Sequence, residues 1–155
     1  MNMARWGQKY PLLPNQKVLE IGIGGDKELP SENFKYFPAT NYYTMDVCRE
    51  YKPTYVGDIT SMPFDDNTYD LLICTQTLEH VWDTRKALAE CYRVLKPGGR
   101  LLVDMPWQYP YHTDPDDYWR ISHTALRRIA VEVGFSCESR IINDILTVAE
   151  CRKSS

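Results

Sequence analysis

The 155-residue chain has no long apolar run and no surplus of positive charge. Apolar runs such as residues 101–103 are far shorter than the ~20 residues that a membrane-spanning helix needs. The N-terminal 13 residues lack the apolar core of a signal peptide. The 18 basic and 21 acidic residues give a net charge of −3, whereas general nucleic-acid binders usually carry a basic surplus. We therefore predict no membrane span and no nucleic acid as the default partner.

Cysteine is present in an odd number and never as a C-x-x-C pair. The five cysteines stand at positions 48, 74, 91, 137 and 151, and three of them fall within apolar patterns. Buried, reduced thiols and a cytoplasmic location are the expectation. The three histidines and the cysteines show no zinc-type ligand spacing, so we predict no metal site.

The length and composition are those of one folded domain. A single core usually takes about 100–200 residues. The content of 43% hydrophobic and 25% charged residues is ordinary for a globular protein. We predict one domain over residues 1–155, with residues 1–16 as a short N-terminal arm.

Short apolar runs alternate with helical patterns along the chain. Strands are predicted at 17–22, 42–47, 54–57, 69–74 and 100–105, and helices at 84–95 and 122–133. A final pair of strands, 135–142 and 145–151, is joined by Asn143-Asp144, a pair that favours a tight hairpin. The alternation predicts an α/β fold with a mostly parallel sheet and one antiparallel edge.

Glycines directly follow the first predicted strand. Gly22 and Gly24 allow a sharp turn and the close approach of a ligand, although a tight turn without a ligand is the alternative. A dinucleotide fingerprint would need a third glycine where Lys27 stands, and no G-K-[ST] is present. The turn therefore fits a nucleoside better than a pyrophosphate, which disfavours a NAD-dependent oxidoreductase.

Polar residues end the next strands of the predicted sheet, where open α/β sheets bind ligands. Asp46 could accept hydrogen bonds from both ribose hydroxyls, or it could be a solvated aspartate. Asp58 and Ile59 could face an adenine. The segment 75–80 could hold a charged amino-acid group.

The loop after the fifth strand is rich in aromatic residues and contains His112, the leading candidate for substrate contact or general base. A loop histidine bonded to a nearby carboxylate is the alternative. His80 could shape the floor of the site or be a packed structural histidine. Arg120 could bind an anionic substrate or pair with a neighbouring aspartate. Tyr118 and Trp119 could stack on an acceptor or belong to the core.

Together these segments resemble the class I S-adenosylmethionine-dependent methyltransferases, and within that class the small bacterial methyltransferase-domain type. The resembling stretches are VLEIGIGGD at 18–26, YTMDV at 43–47, VGDITSMPF at 56–64, YDLLICTQTLEHV at 69–81 and ECYRVLKPGGRLLVDMPW at 90–107. The run HTDPDDYWRISHTAL at 112–126 resembles a subgroup hallmark. The resemblance covers most of the chain.

The resemblance implies a Rossmann-like three-layer sandwich with strand order 3-2-1-4-5-7-6 and strand 7 antiparallel. S-adenosylmethionine would lie across the carboxyl ends of strands 1, 2 and 4. The implied cofactor residues are Glu20, Gly22, Gly24 and Thr75 for the methionine portion, Asp46 for the ribose, and Val47, Asp58 and Ile59 for the adenine.

The implied function is methyl transfer from S-adenosylmethionine to a small-molecule acceptor, with glycans and lipid-linked precursors among the candidates. His112 and His80 are the catalytic candidates, and Tyr118, Trp119 and Arg120 the substrate-binding ones. Asp26 replaces the usual third glycine, the spacing to Asp46 is short, and little chain precedes the first strand. These departures leave two alternatives: a SAM-binding module without turnover that acts through a partner, and a homodimer whose second subunit supplies the cofactor cap.

Overall fold

A computed structural model describes residues 13, 15–24, 41–113 and 116–155. The predicted N-terminal arm lies almost wholly outside the described residues, as do Asp26 and the spacing that follows it. The strands are β1 Lys17–Ile21, β2 Asn41–Asp46, β3 Tyr55–Val56, β4 Tyr69–Thr75, β5 Leu95–Pro106, β6 Ser136–Ile142 and β7 Leu146–Arg152.

The seven strands form one sheet in the order β3-β2-β1-β4-β5-β7-β6. The pairs from β3 to β5 are parallel, and β7 runs antiparallel to both β5 and β6. This confirms the predicted mostly parallel α/β sheet with strand 7 antiparallel. The central strands are almost continuously apolar because both of their faces are buried.

Two helices are defined in the described part of the chain: α1 at Thr84–Val94 and α2 at His123–Val133. The Asp83 side chain caps α1 by accepting from the amide of Lys86, at 2.9 Å. The Ser122 side chain caps α2 by accepting from the amide of Ala125, at 3.2 Å. The apolar faces of both helices join the main core beside the sheet. No helix among the described residues is long and apolar enough to cross a membrane.

Strand β5 begins at Leu95, earlier than the predicted start at residue 100. The proline and glycines of residues 96–99 end α1, but this segment then continues alongside β4. The register shifts there, with Tyr69 opposite Leu95 and Leu71 opposite Arg100. Residues 96–99 therefore both end α1 and form the irregular start of β5.

The predicted hairpin between β6 and β7 is confirmed. Asn143 and Asp144 have φ values of 51° and 57°, as a type I′ turn requires, and the amide of Ile145 donates to the carbonyl of Ile142 at 3.0 Å.

The expectation of reduced thiols is wrong for one cysteine pair. Cys137 and Cys151 stand opposite each other on β6 and β7 and are joined by a disulfide. Antiparallel register, which a count of cysteines does not reveal, brings the two together. Cys48, Cys74 and Cys91 are free. The cysteine content thus no longer supports the cytoplasmic location, which stays a prediction.

Candidate active site

A cavity of about 850 Å³ opens at the carboxyl ends of β1, β2 and β4. Its lining includes nine of the residues singled out from the sequence. Six were predicted for the cofactor, two for catalysis and one, Tyr118, for the acceptor: Gly22, Gly24, Asp46, Val47, Asp58, Ile59, His80, His112 and Tyr118. Short β-strand ends and the loop after β5 thus meet around one concave space.

The turn after β1 admits only glycine at its first position. Gly22 has φ +74°, and a Cβ there would lie 2.0 Å from Oγ1 of Thr77. The hydroxyl of Thr77 is fixed in place because it donates to the carbonyls of Thr75, at 2.9 Å, and Ile21, at 3.2 Å. Gly24 has φ +65°, but no atom of the described residues lies within 4 Å of its Cβ position. Backbone therefore forms this side of the cavity.

Asp46 ends β2 and is nearly buried, with 7% of its surface exposed. One carboxylate oxygen accepts from the amide of Gly24 at 3.3 Å, and the other accepts from the amide of Cys48 at 2.9 Å. A carboxylate offers about four acceptor positions, so two are left after the bonds that the described residues make to it. The amides fix the orientation of the carboxylate beside the cavity.

The ends of β2 and β3 provide a mixed polar and apolar wall. Val47 is exposed, whereas Ile59 is buried. Asp58 accepts from the amide of Thr60 at 2.7 Å and so is held in a short turn. All three residues line the cavity.

Two predicted cofactor residues, Glu20 and Thr75, are buried but are not part of the lining. Glu20 lies within β1 and accepts from the hydroxyl of Tyr42 at 2.8 Å. Beyond Thr75, the lining residues are Gln76 and Thr77, and Gln76 has φ +49°. The side chain of Gln76 donates to Asp104 at 2.6 Å. The sequence pointed to the segment 75–80, but it did not single out Gln76 and Thr77 as residues that line the cavity.

The loop after β5 covers the other side of the cavity, and we call residues 107–113 and 116–120 the aromatic loop. The amide of Tyr118 donates to the carbonyl of Glu79 at 2.8 Å, and the indole of Trp119 donates to the carbonyl of Val81 at 3.0 Å. The rings of Trp119 and Trp82 stack at 5.2 Å. Trp119 thus anchors the loop, while Tyr118 lines the cavity.

Arg120 is engaged inside the aromatic loop. Its guanidinium binds both carboxylate oxygens of Asp117 and the carbonyl of Pro110, the last at 3.0 Å. The guanidinium holds the pKa of Asp117 down, to about 2. Asp117 also accepts from the amide of His112 at 2.8 Å. This arrangement matches the alternative in which Arg120 pairs with a neighbouring aspartate, and Arg120 is absent from the lining.

His80 and His112 lie against each other at the cavity wall, with ring centroids 5.1 Å apart. Nδ1 of His80 contacts the backbone carbonyl of Asp116, and its Nε2 lies 3.8 Å from Oε1 of Glu79. Glu79 is fully buried, and burial raises its pKa to about 8. Neither carboxylate oxygen of Glu79 has a hydrogen-bond partner within the described part of the chain.

Glu79 was not singled out from the sequence. It lies in the 3₁₀ turn Leu78–His80, directly after a buried strand, and the only available signal was its position beside His80. Trp82 and Thr77 were also missed, because exposure of an aromatic ring and contact with a distant glycine are not visible in a spacing pattern.

Comparison with known families gives one match over more than half of the chain. The sequence pattern of the family described as "Methyltransferase domain" matches residues 19–103. The matched stretch runs from β1 to β5 and so contains Gly22, Gly24, Asp46 and Asp58.

A demethylmenaquinone methyltransferase from Streptomyces avermitilis is 32% identical over 115 residues, which is 68% of this chain and 50% of that protein. The chain therefore spans half the length of this curated relative. Among solved structures, a SAM-dependent methyltransferase from Aquifex aeolicus has a TM-score of 0.75 at 17% identity, covering 97% of this chain and 89% of that one. Phosphoethanolamine N-methyltransferase 2 from Haemonchus contortus, in complex with S-adenosyl-L-methionine, has a TM-score of 0.77 at 16% identity, covering 99% and 52%.

Proposed function

Because the chain belongs to the methyltransferase-domain family, we propose that it transfers a methyl group from S-adenosylmethionine to a small-molecule acceptor. The turn at Gly22 and the carboxylate of Asp46 are the observation that carries this proposal. A backbone-lined turn beside an oriented carboxylate is suited to a nucleoside.

Asp46 is assigned to the ribose. Two of its acceptor positions are used by backbone amides, and the remaining two match the two hydroxyls of a ribose. Val47, Asp58 and Ile59 are assigned to the adenine, because they line the adjoining wall. The methionine portion is assigned to the end beside Gly22 and Thr77, with Glu20 and Thr75 supporting it from behind.

S-adenosylmethionine supplies a methyl group that is already activated by its sulfonium. The protein then needs to align the acceptor with that methyl and to exclude water. The aromatic loop is assigned to both tasks, since it covers the side of the cavity opposite Gly22. His112 and His80 line the cavity, and we assign them the role of accepting a proton from an acceptor whose pKa is high.

A planar, ring-shaped acceptor is the class that we favour among small molecules. Trp82 and Tyr118 line the cavity, with their rings edge to face at 5.4 Å. Exposed aromatic faces of this kind stack well on flat rings. The relative from Streptomyces avermitilis carries a quinone in its name, demethylmenaquinone, which is consistent with this class.

Calorimetry with S-adenosylhomocysteine tests the cofactor assignment. We expect Asp46→Ala to weaken binding about 100-fold or more, because hydrogen bonds to a charged group contribute about 1.5–3 kcal/mol each. Asp65→Ala, which removes an exposed carboxylate elsewhere, is the matched control and should bind as the wild type does. Unchanged affinity in a folded Asp46→Ala protein would overturn the ribose assignment.

Turnover is tested with S-adenosylmethionine carrying a labelled methyl group. Reduced quinones are offered beside glycans and lipid-linked sugars, and label in a reduced quinone is the expected result. Label in a non-planar acceptor would contradict the favoured class. Tight binding of S-adenosylhomocysteine without transfer to any acceptor would instead support a binding module that acts through a partner.

A further inference from the structure

We propose that Glu79, His80 and His112 bind a divalent transition-metal ion at the wall of the cavity. This goes beyond the proposed methyl transfer and does not rest on it, because it concerns a cation and not the nucleoside. A histidine whose lone pair binds the ion cannot also accept a proton, so in the metal-bound protein the two histidines would be ligands instead of proton acceptors. The expectation of no metal site came from spacing along the chain, which does not register a cluster built from residues more than 30 positions apart.

The three side chains are close enough to share one ion. Each offers one ligand atom, and these atoms all lie within 4.8 Å of one another. Nε2 of His80 and Oε1 of Glu79 are 3.8 Å apart. Ligands that each lie about 2.0–2.2 Å from a zinc ion are roughly 3–4 Å from their neighbours. Only a small inward movement of a side chain is needed to reach that geometry.

The state of Glu79 is an independent observation that points to a ligand. Its side chain is fully buried, and neither of its oxygens has a hydrogen-bond partner among the described residues. Buried carboxylates are normally paired, hydrogen-bonded or bound to a metal. An ion pair with His80 alone does not meet this need, since 3.8 Å is longer than a hydrogen bond and involves one of the two oxygens.

His80 has the second contact that is typical of a metal-binding histidine. Its Nδ1 contacts the carbonyl of Asp116, and a carbonyl only accepts, so Nδ1 carries the proton. Nε2, which lies 3.8 Å from Oε1 of Glu79, is then the ring nitrogen that could bind an ion. Metal-bound histidines almost always donate their other ring N–H to an outer acceptor in this way.

His112 is placed by its backbone more than by its ring. Its amide donates to Asp117, whose carboxylate is held by Arg120. The ring of His112 meets those of His80 and Tyr109 at their edges, at 5.1 Å and 5.4 Å between centroids. The aromatic loop thus carries a ligand to the other two, which are fixed in the turn after β4.

The donor set indicates which ions fit. Two imidazoles and one carboxylate suit zinc, manganese, iron or cobalt, whereas magnesium and calcium favour oxygen ligands. Three protein ligands leave at least one coordination position open. His80 and His112 line the cavity, so that position faces the space assigned to the acceptor, where water or an acceptor oxygen could occupy it.

Equilibrium dialysis of the chelator-treated full chain tests the site, with the metal content measured by mass spectrometry. Zinc and manganese are offered separately, and magnesium serves as the hard-cation comparison. We expect about one zinc or manganese ion per chain and no comparable uptake of magnesium. We expect His112→Ala to weaken binding by at least 10–100-fold, the loss that outer-shell changes alone produce.

His123→Ala is the matched control, because His123 begins α2 and is outside the cluster. Glu79→Gln is the second ligand variant, since it keeps the side-chain volume in the buried turn. Loss of zinc in both ligand variants, with normal uptake by His123→Ala, would confirm the site. Equal uptake by His112→Ala and the wild type, or no stoichiometric uptake by the wild type, would overturn it.

Cobalt substitution separates this site from adventitious binding to the free cysteines Cys48, Cys74 and Cys91. Nitrogen and oxygen ligands give visible bands without the strong sulfur-to-metal charge transfer that thiolates produce. A thiolate spectrum would overturn the proposal. Calorimetry with S-adenosylhomocysteine on the same sample tests the cofactor assignment separately from the metal site. Intact binding of S-adenosylhomocysteine without metal uptake would contradict the metal site and leave the cofactor assignment standing.

Discussion

The two sides of the cavity are built in different ways. The turn after β1 and the end of β2 are joined by backbone hydrogen bonds, such as the one from the amide of Gly22 to the carbonyl of Met45 at 2.9 Å. The described residues of the aromatic loop pair with no strand beyond residue 106. A few backbone hydrogen bonds hold the loop at its two ends, at Trp107 and Tyr118, and side-chain bonds of Arg120 and Trp119 hold it between and beside them.

This difference separates a part of the cavity that tolerates little change from a part that can vary. Backbone geometry at Gly22 tolerates almost no change, because a single added carbon meets Thr77. Side-chain bonds in a loop can be exchanged without moving the sheet. We therefore place cofactor recognition on the strand ends and acceptor choice on the aromatic loop.

The largest effect is expected from Gly22→Ala. Overpacking against Thr77 costs about 1–3 kcal/mol and the left-handed backbone about 1–2 kcal/mol, so the free energy of unfolding should fall by about 2–5 kcal/mol. Urea denaturation measures it. Gly24→Ala is the control, since its Cβ would meet no atom of the described residues and the backbone penalty alone is expected. Equal losses in the two variants would show that contact with Thr77 is not what restricts the turn.

An intermediate effect is expected from Arg120→Lys. Lysine keeps the charge but loses the fork that binds both oxygens of Asp117. Losing hydrogen bonds that are each worth about 1 kcal/mol should speed hydrogen exchange at the amides of His112 and Tyr118 by about tenfold or more.

The amides of Gly22 and Gly57 report the other side of the cavity and should exchange as before in Arg120→Lys. Arg128→Lys, on the exposed face of α2, is the matched substitution with no expected change in the loop. Faster exchange at Gly22 as well would mean that the strand ends and the aromatic loop open together and are not independent.

The smallest effect is expected from Trp82→Ala. Trp82 is 69% exposed and stacks on Trp119, so its loss should little affect the core. Removing an aromatic contact worth about 0.5–1.5 kcal/mol should raise the KM for a planar acceptor by about 2–10-fold. The Kd of S-adenosylhomocysteine should stay unchanged, and Trp82→Phe should restore most of the KM. If Trp82→Ala instead weakened binding of S-adenosylhomocysteine and left the KM for the acceptor unaltered, Trp82 would belong to the cofactor side of the cavity.

Much of the fold could be predicted because many of its elements are specified by residues that are close together in the sequence. The buried runs at 69–74 and 101–103, the Ser122 cap and the Asn143-Asp144 turn each depend on neighbours close in sequence. The carboxyl ends of parallel strands then bring Gly22, Asp46 and Asp58 to one edge, so their proximity followed from the strand assignment.

Prediction was weaker wherever a contact joins distant parts of the chain. The disulfide between Cys137 and Cys151 depends on the antiparallel register of β6 and β7. Strand β5 starts early because Leu95 and Arg100 pair with residues of β4. Glu20 and Thr75 were implied by the family resemblance, yet both are buried within their strands and neither is part of the cavity lining. Homodimer formation and the cytoplasmic location stay predictions.

By itself, the sequence determined the α/β class, the succession of strands and helices, and the glycine turn with its partner Asp46, since each follows from short-range periodicity and backbone freedom. Only the tertiary structure decided what surrounds Glu79. Its buried carboxylate, His80 and the distant His112 meet because the aromatic loop folds back over the turn after β4. Burial and charge at such a point depend on the packing of several segments, which no single stretch of sequence encodes.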